Sequence, residues 1–345
     1  MIRVITVPIL DLIYKQPMIL KLFKSNHPVV IFLIPLLGII LWIPTLFGLN
    51  TATGSLPIYQ TTLLYQWCFG FLVTMPKLAN WIALLFLVVQ SFILIRLNFK
   101  FIFIESKTYL PAVMFVLFGS ILLPYQQLHP ALVSNFFLLA AIDRSFVFDK
   151  ERNQIKRYYE SGFLLGLGAL FFPNLYLLLV LVGFALVILH NSTWREWIGT
   201  LIGFATPVIF YFAFLFLSDL YQKGYSNMML LVTLPTPKLS ITYWMFIPMG
   251  LLTVTLAISL LWGLQFVGIK KISSRKYFTL FLWFFILVVG TILFHPFVGF
   301  ELIYLEAIPL AVLYSIFFAE SRSIWFVELM FTFTLGSILA TIWLF

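Results

Sequence analysis

Nine polar residues sit among otherwise apolar stretches: Gln126, Gln127, His129, Asn135, Asn174, His295, Glu301, Tyr304 and Glu306. In a chain this apolar, ionisable and amide groups are costly to bury, and where they occur at membrane depth they are functional candidates by default. Glu306 is the sharpest case, with no Lys or Arg within ten positions on either side. A carboxyl so isolated needs a distant partner or keeps its proton. Asp219, Glu301, Glu306 and the histidines are the residues that could act as a general base, Glu301 or Glu306 foremost; such a base must come within hydrogen-bond reach of the hydroxyl it deprotonates. Gln126, Gln127, His129, Asn174, His295, Glu301, Tyr304 and Glu306 together form the candidate ligand-binding set, and the bland alternative is that they cap turns and bridge helices.

Other chemistries find no foothold. The histidines His27, His129, His190 and His295 show no paired metal-ligand spacing, and Cys68 is the single cysteine, so neither a metal nor another cofactor is expected. The glycine-rich run at 162–168, GFLLGLG, lacks the Lys-Ser/Thr of a phosphate loop and lies inside an apolar stretch. Small residues spaced this way let membrane helices approach closely.

The elements that must carry these residues are set by composition. Of 345 residues, 62% are hydrophobic and 10% charged, and mean hydropathy is +1.07. Soluble domains carry roughly 25% charged residues to coat their surface, so a water-soluble enzyme is excluded. Apolar runs recur to the C-terminus, leaving one integral membrane domain over 1–345: a cytoplasmic interfacial segment at 1–28 and a transmembrane bundle at 29–345. No removable signal peptide is read at the N-terminus. The net charge of +9 does not point to nucleic acid, because the basic residues sit in short loops between apolar runs.

Eleven spans are expected, at 29–49, 81–97, 108–123, 130–142, 161–172, 174–190, 197–217, 241–268, 278–294, 302–318 and 323–343. The stretch 161–190 reads as two short helices broken at Pro173 rather than one kinked helix, and charge decides the matter. With a break there and a cytoplasmic N-terminus, eighteen of the twenty-one Lys and Arg fall inside, and only Lys77, Lys223 and Lys238 fall outside. Spans of about 12 residues reach only about 18 Å, short of the roughly 30 Å hydrocarbon core. The turns at 124–130 and 173–174 should therefore stop below the outer surface, where polar backbone survives only if buried in protein or lining a watered cavity. An outward-facing cavity is expected, roofed by an interfacial helix in the first external loop, within residues 57–72. The second long external segment, 218–240, reads as a loop. A faint echo relates Gly119-Ser120-Ile121-Leu122 to Gly290-Thr291-Ile292-Leu293.

This all-α layout, over roughly 29–217, resembles the GT-C membrane glycosyltransferase architecture: cytoplasmic N-terminus, long first external loop with an interfacial helix, then short hairpins around an outward cavity. More narrowly, 163–211, with FFPNLY and then NSTWREWIGTLIGFATPVIFYF, resembles a family of bacterial polytopic membrane proteins without an assigned activity. GT-C enzymes place a catalytic acidic residue in the first external loop, and residues 50–80 contain no Asp or Glu. The resemblance therefore implies a non-catalytic inner-membrane protein with a periplasmic C-terminus. It would bind membrane lipids, a lipid-linked glycan or partner membrane proteins in cell-envelope assembly or export. The alternatives are a glycosyltransferase using a polyprenyl-phosphate sugar donor, and a transporter.

Overall fold

The computed structural model describes residues 19–24, 29–48, 61–147, 154–189, 193–233, 246–266, 271–294, 300–321 and 323–344. The regular secondary structure of the described residues is all helical, with no strand among them. The α-helices are α1 (Ile19–Lys24), α2 (Val29–Leu46), α3 (Leu63–Phe69), α4 (Pro76–Phe101), α5 (Leu110–Gly119), α6 (Pro130–Ser145) and α7 (Gln154–Phe171). They continue as α8 (Leu179–Leu189), α9 (Trp194–Leu217), α10 (Tyr221–Thr233), α11 (Phe246–Phe266), α12 (Ile272–Phe294), α13 (Ile303–Glu320) and α14 (Ile324–Leu344). Seven of them, α2, α4, α9, α11, α12, α13 and α14, are long and apolar enough to cross a membrane. Each of the eleven expected spans contains a helix; the other four, α5 to α8, are shorter or carry charge in their first turns.

Burial orders the bundle. Every residue of α5 is buried, as is every residue of α13 from Tyr304 to Ala319. Helices apolar on all sides belong at the centre of a bundle, and these two pack against each other, ringed by α4, α6, α11, α12 and α14. The outward faces keep large apolar side chains such as Phe32, Phe216, Phe294 and Trp343 exposed, as a lipid-facing surface requires.

A second group packs α7 against α9 backbone to backbone. A Cβ on Gly162 would lie 2.1 Å from the Thr200 carbonyl oxygen, and one on Gly203 would lie 2.1 Å from that of Tyr159. The glycine run is thus a helix-packing surface. The chain also breaks after α7 as expected: Phe172 is extended (φ −132°, ψ 98°), and Pro173–Leu178 forms a 3-10 turn. Leu175 folds back so tightly on Gly168 that a Cβ there would lie 2.4 Å from it. Seven residues of continuous helix would separate the two by about 10 Å.

One expectation is corrected. Tyr221–Thr233, read as loop, is a helix, because Leu220, Gly224 and Met228 place one face against Leu215, Leu63 and their neighbours. Asp219, in the left-handed region (φ 56°), makes the corner between α9 and α10. The two glycines of the faint echo differ in their surroundings: Gly119 is pressed against Leu87, whereas no described residue lies within 4 Å of a Cβ at Gly290. Most of the interfacial segment 1–28, residues 57–60 and His295 lie outside the described residues.

Candidate functional site

Helix α5 stops beside Leu87, eleven residues into α4, or about 16 Å from the start of that helix. The following residues 120–129 are largely non-helical backbone inside the bundle, with a single 3-10 turn at Leu123–Tyr125. Carbonyls in such a turn lack helical partners, and without water each must find a donor.

Side chains supply those donors. Gln126 is completely buried; its Nε2 donates to the carbonyls of Ser120 (2.8 Å) and Leu41 (3.3 Å), and its Oε1 accepts from the Thr45 hydroxyl at 2.6 Å. Trp42 Nε1 donates to the Ser120 hydroxyl at 2.9 Å, so the turn is pinned to α2. Gln127 Nε2 donates back to the Pro124 carbonyl at 3.2 Å. The Tyr304 hydroxyl donates to the Tyr125 carbonyl, and the Tyr65 hydroxyl to the Leu128 carbonyl at 2.7 Å. His129 is the N-cap of α6, its Nδ1 accepting from the Ala131 N–H at 3.0 Å with Pro130 in the first turn. An accepting Nδ1 places the imidazole proton on Nε2.

The second turn lies alongside. The His129 and Phe172 rings are 6.1 Å apart, and His129 stacks on Tyr304 at 6.3 Å. The Thr62 hydroxyl donates to the Phe171 carbonyl at 3.3 Å and also caps α3 through the Tyr65 N–H. Helix α3 therefore sits on both turns at once, and Asn227 Nδ2 from α10 reaches the Thr61 carbonyl beside it at 3.2 Å. Below, Gln90 Nε2 donates to the Leu132 carbonyl (2.7 Å), and Asn135 Nδ2 bridges Gln90 Oε1 and the Tyr304 carbonyl, both at 3.1 Å. This knot ties α4, α6 and α13 together.

The predicted segments thus converge: the first-loop helix, the turns at 126–129 and 173–174, and 301–306. Gln126, His129, Asn174, Tyr304 and Glu306 are all at most 7% exposed; the expected cavity is bounded in part by residues 57–60 and 295–299, which lie outside the described residues. Tyr125, Gln127 and Glu301 remain partly exposed at the tip, with the Glu301 carboxylate near enough to act electrostatically on Tyr125. Gln126 faces α2, away from the His129 group. Asn174 Oδ1, Asn135 Oδ1 and both oxygens of Glu306 have no hydrogen-bond partner among the described residues. Among those residues no three His, Cys, Asp or Glu side chains converge as a metal site. Sequence reasoning passed over Gln90 and Thr45, and it placed Thr62 and Tyr65 in the interfacial helix without giving them partners. Gln90 left a signal, as a lone amide at the middle of an apolar span.

A bundle with a buried two-helix centre, long apolar helices around it and non-helical turns satisfied internally defines a polytopic helical membrane protein. The chain belongs to the DUF6427 family, a family of unknown function, whose model matches residues 45–345. No curated protein and no solved structure matches it.

Proposed function

We propose that this protein is a non-catalytic inner-membrane component of GT-C-like layout that acts in cell-envelope assembly or export. Its N-terminus is cytoplasmic and its C-terminus periplasmic. It holds a lipid, a lipid-linked glycan such as a polyprenyl-linked sugar, or partner membrane proteins against the outer leaflet. The observation that carries this reading is the use made of the polar side chains beneath α3. Gln126, Tyr304 and Tyr65 spend their donors on turn carbonyls, and His129 caps a helix. Such a site is built to hold a shape, and its exposed polar groups, Gln127 and Glu301, lie where a headgroup would meet the tip of the turns.

Purification in mild detergent followed by native mass spectrometry tests the reading. Co-purifying membrane proteins or a retained lipid is the expected result, and a bare monomer carrying neither overturns it. A second arm addresses catalysis: Glu301→Gln, Glu306→Gln and Asp219→Asn, each alone, should leave lipid-linked sugar products of the cell unchanged. Loss of such a product in any of them favours the alternative, a transferase taking sugar from a polyprenyl-phosphate donor. The observation on that side is the partial exposure of Glu301 at the tip.

A further inference from the structure

Glu306 lies in the first turn of α13 and is 3% exposed, with neither carboxyl oxygen hydrogen-bonded among the described residues. Its charge state follows from what surrounds α13. The central neighbour α5 and the flanking α11 contain no ionisable side chain at all. In α14 the single ionisable residue is Glu328, which accepts from the Leu20 N–H of α1. The cations of α12, Arg275 and Lys276, lie at the opposite end of α13. There Lys271 N–H reaches Glu105, and Glu105 N–H reaches Glu320, fourteen residues or about 21 Å along the helix from Glu306. Arg144 and Asp143 of α6 belong to that same far end, where Asp143 pairs with Lys100.

Among the described residues, the titratable groups around the Glu306 end are Tyr65, Tyr125, His129, Glu301 and Tyr304, with Lys77 and Lys223 exposed in the first turns of α4 and α10. None of them hydrogen-bonds to Glu306: His129 accepts at Nδ1 and so carries a single proton, and Glu301 is itself acidic. An ionised Glu306 would be an unpaired, unsolvated charge in an apolar core, which is heavily penalised. The N-terminal end of α13 favours an anion, but that effect is modest and is outweighed by the missing solvation.

We propose that Glu306 is a proton-binding site within the membrane-embedded bundle, occupied at neutral pH and presenting an O–H donor rather than a negative charge. The proposal holds whether the protein takes a lipid, a glycan or a partner, because it rests on the surroundings of one carboxyl.

Infrared spectroscopy of the full-length protein in lipid, wild type against Glu306→Gln at neutral pH, reads the proton directly. A carboxylic-acid carbonyl band present in the wild type and lost in the variant is expected; carboxylate bands lost instead overturn the proposal. If Glu306→Gln does not fold, carbodiimide labelling of the wild-type protein with peptide mapping decides. The acid O–H adds across a C=N bond of N,N′-dicyclohexylcarbodiimide, the carboxyl oxygen joining the central carbon and the proton a nitrogen. The acyl group then shifts from oxygen to nitrogen to give an N-acylurea that retains every atom. Modification of Glu306 by this lipophilic reagent at least tenfold above that by a water-soluble carbodiimide supports the proposal. Equal or preferential modification by the water-soluble reagent, or modification of Glu301 and Glu328 with Glu306 untouched, overturns it.

Discussion

The hydroxyl of Tyr65 and the amide of Gln126 do the same physical job from different elements: each gives a donor to backbone that cannot reach water. Deleting either leaves buried carbonyls unpaired, at about 1–3 kcal/mol for each group stranded. Tyr65→Phe strands the Leu128 carbonyl, whereas Gln126→Leu strands the Ser120 and Leu41 carbonyls and the Thr45 hydroxyl together. Thermal unfolding in detergent should therefore rank Gln126→Leu as the more destabilising, with Gln127→Leu mildest because that partly exposed side chain bonds only within its own turn. A Gln127→Leu loss equal to that of Gln126→Leu would contradict this account. Sequence singled out Gln126 and Tyr304 as polar groups in the wrong solvent. It did not say that their partners are carbonyls inside the protein rather than a ligand outside it.

Among the elements, the pairing of α7 with α9 is the most sharply constrained. Gly162 and Gly203 each face backbone atoms of the other helix, which cannot move aside as a flexible side chain would. Gly162→Ala and Gly203→Ala must push the helices apart, and a marked fall in unfolding temperature or loss of monodisperse protein is expected for both. Gly290→Ala is the matched control, since no described residue lies within 4 Å of its Cβ position. Helix propensity there favours Ala over Gly by about 0.5–1 kcal/mol, so that variant should be neutral or slightly more stable. The glycine surface was readable locally, from small residues at helical spacing. The hairpin break at Pro173 was instead read from the distribution of basic residues along the whole chain, since Pro35, Pro44, Pro207 and Pro309 sit inside continuous helices. Helix α10 was not readable, because its apolar face is short and has meaning only against Leu63 and Leu215.

For the whole molecule, the orientation proposed from the distribution of basic residues is tested at the first loop. Cys68 is the single cysteine of the chain and is exposed on α3, the element that covers the two turns. A membrane-impermeant maleimide should label it from the periplasmic side of spheroplasts and fail to do so in inverted vesicles. The reverse pattern would invert the topology and place the turns, α3 and Glu301 on the cytoplasmic face.

What the sequence determined by itself is the solvent and the segments: a chain 62% hydrophobic and 10% charged has to live in lipid, and the positions of its eleven expected spans each hold a helix. These are local properties, fixed by apolar run length, proline and the cost of exposed backbone in hydrocarbon. Only the tertiary structure decided which donors answer which carbonyls. Asn135 meets Tyr304 across 169 residues of sequence and Tyr65 meets Leu128 across 63. The desolvation penalty favours pairing of buried polar groups, and it is indifferent to which residue supplies the partner. The need could therefore be read one residue at a time, whereas the pairing waited on where the helices came to lie.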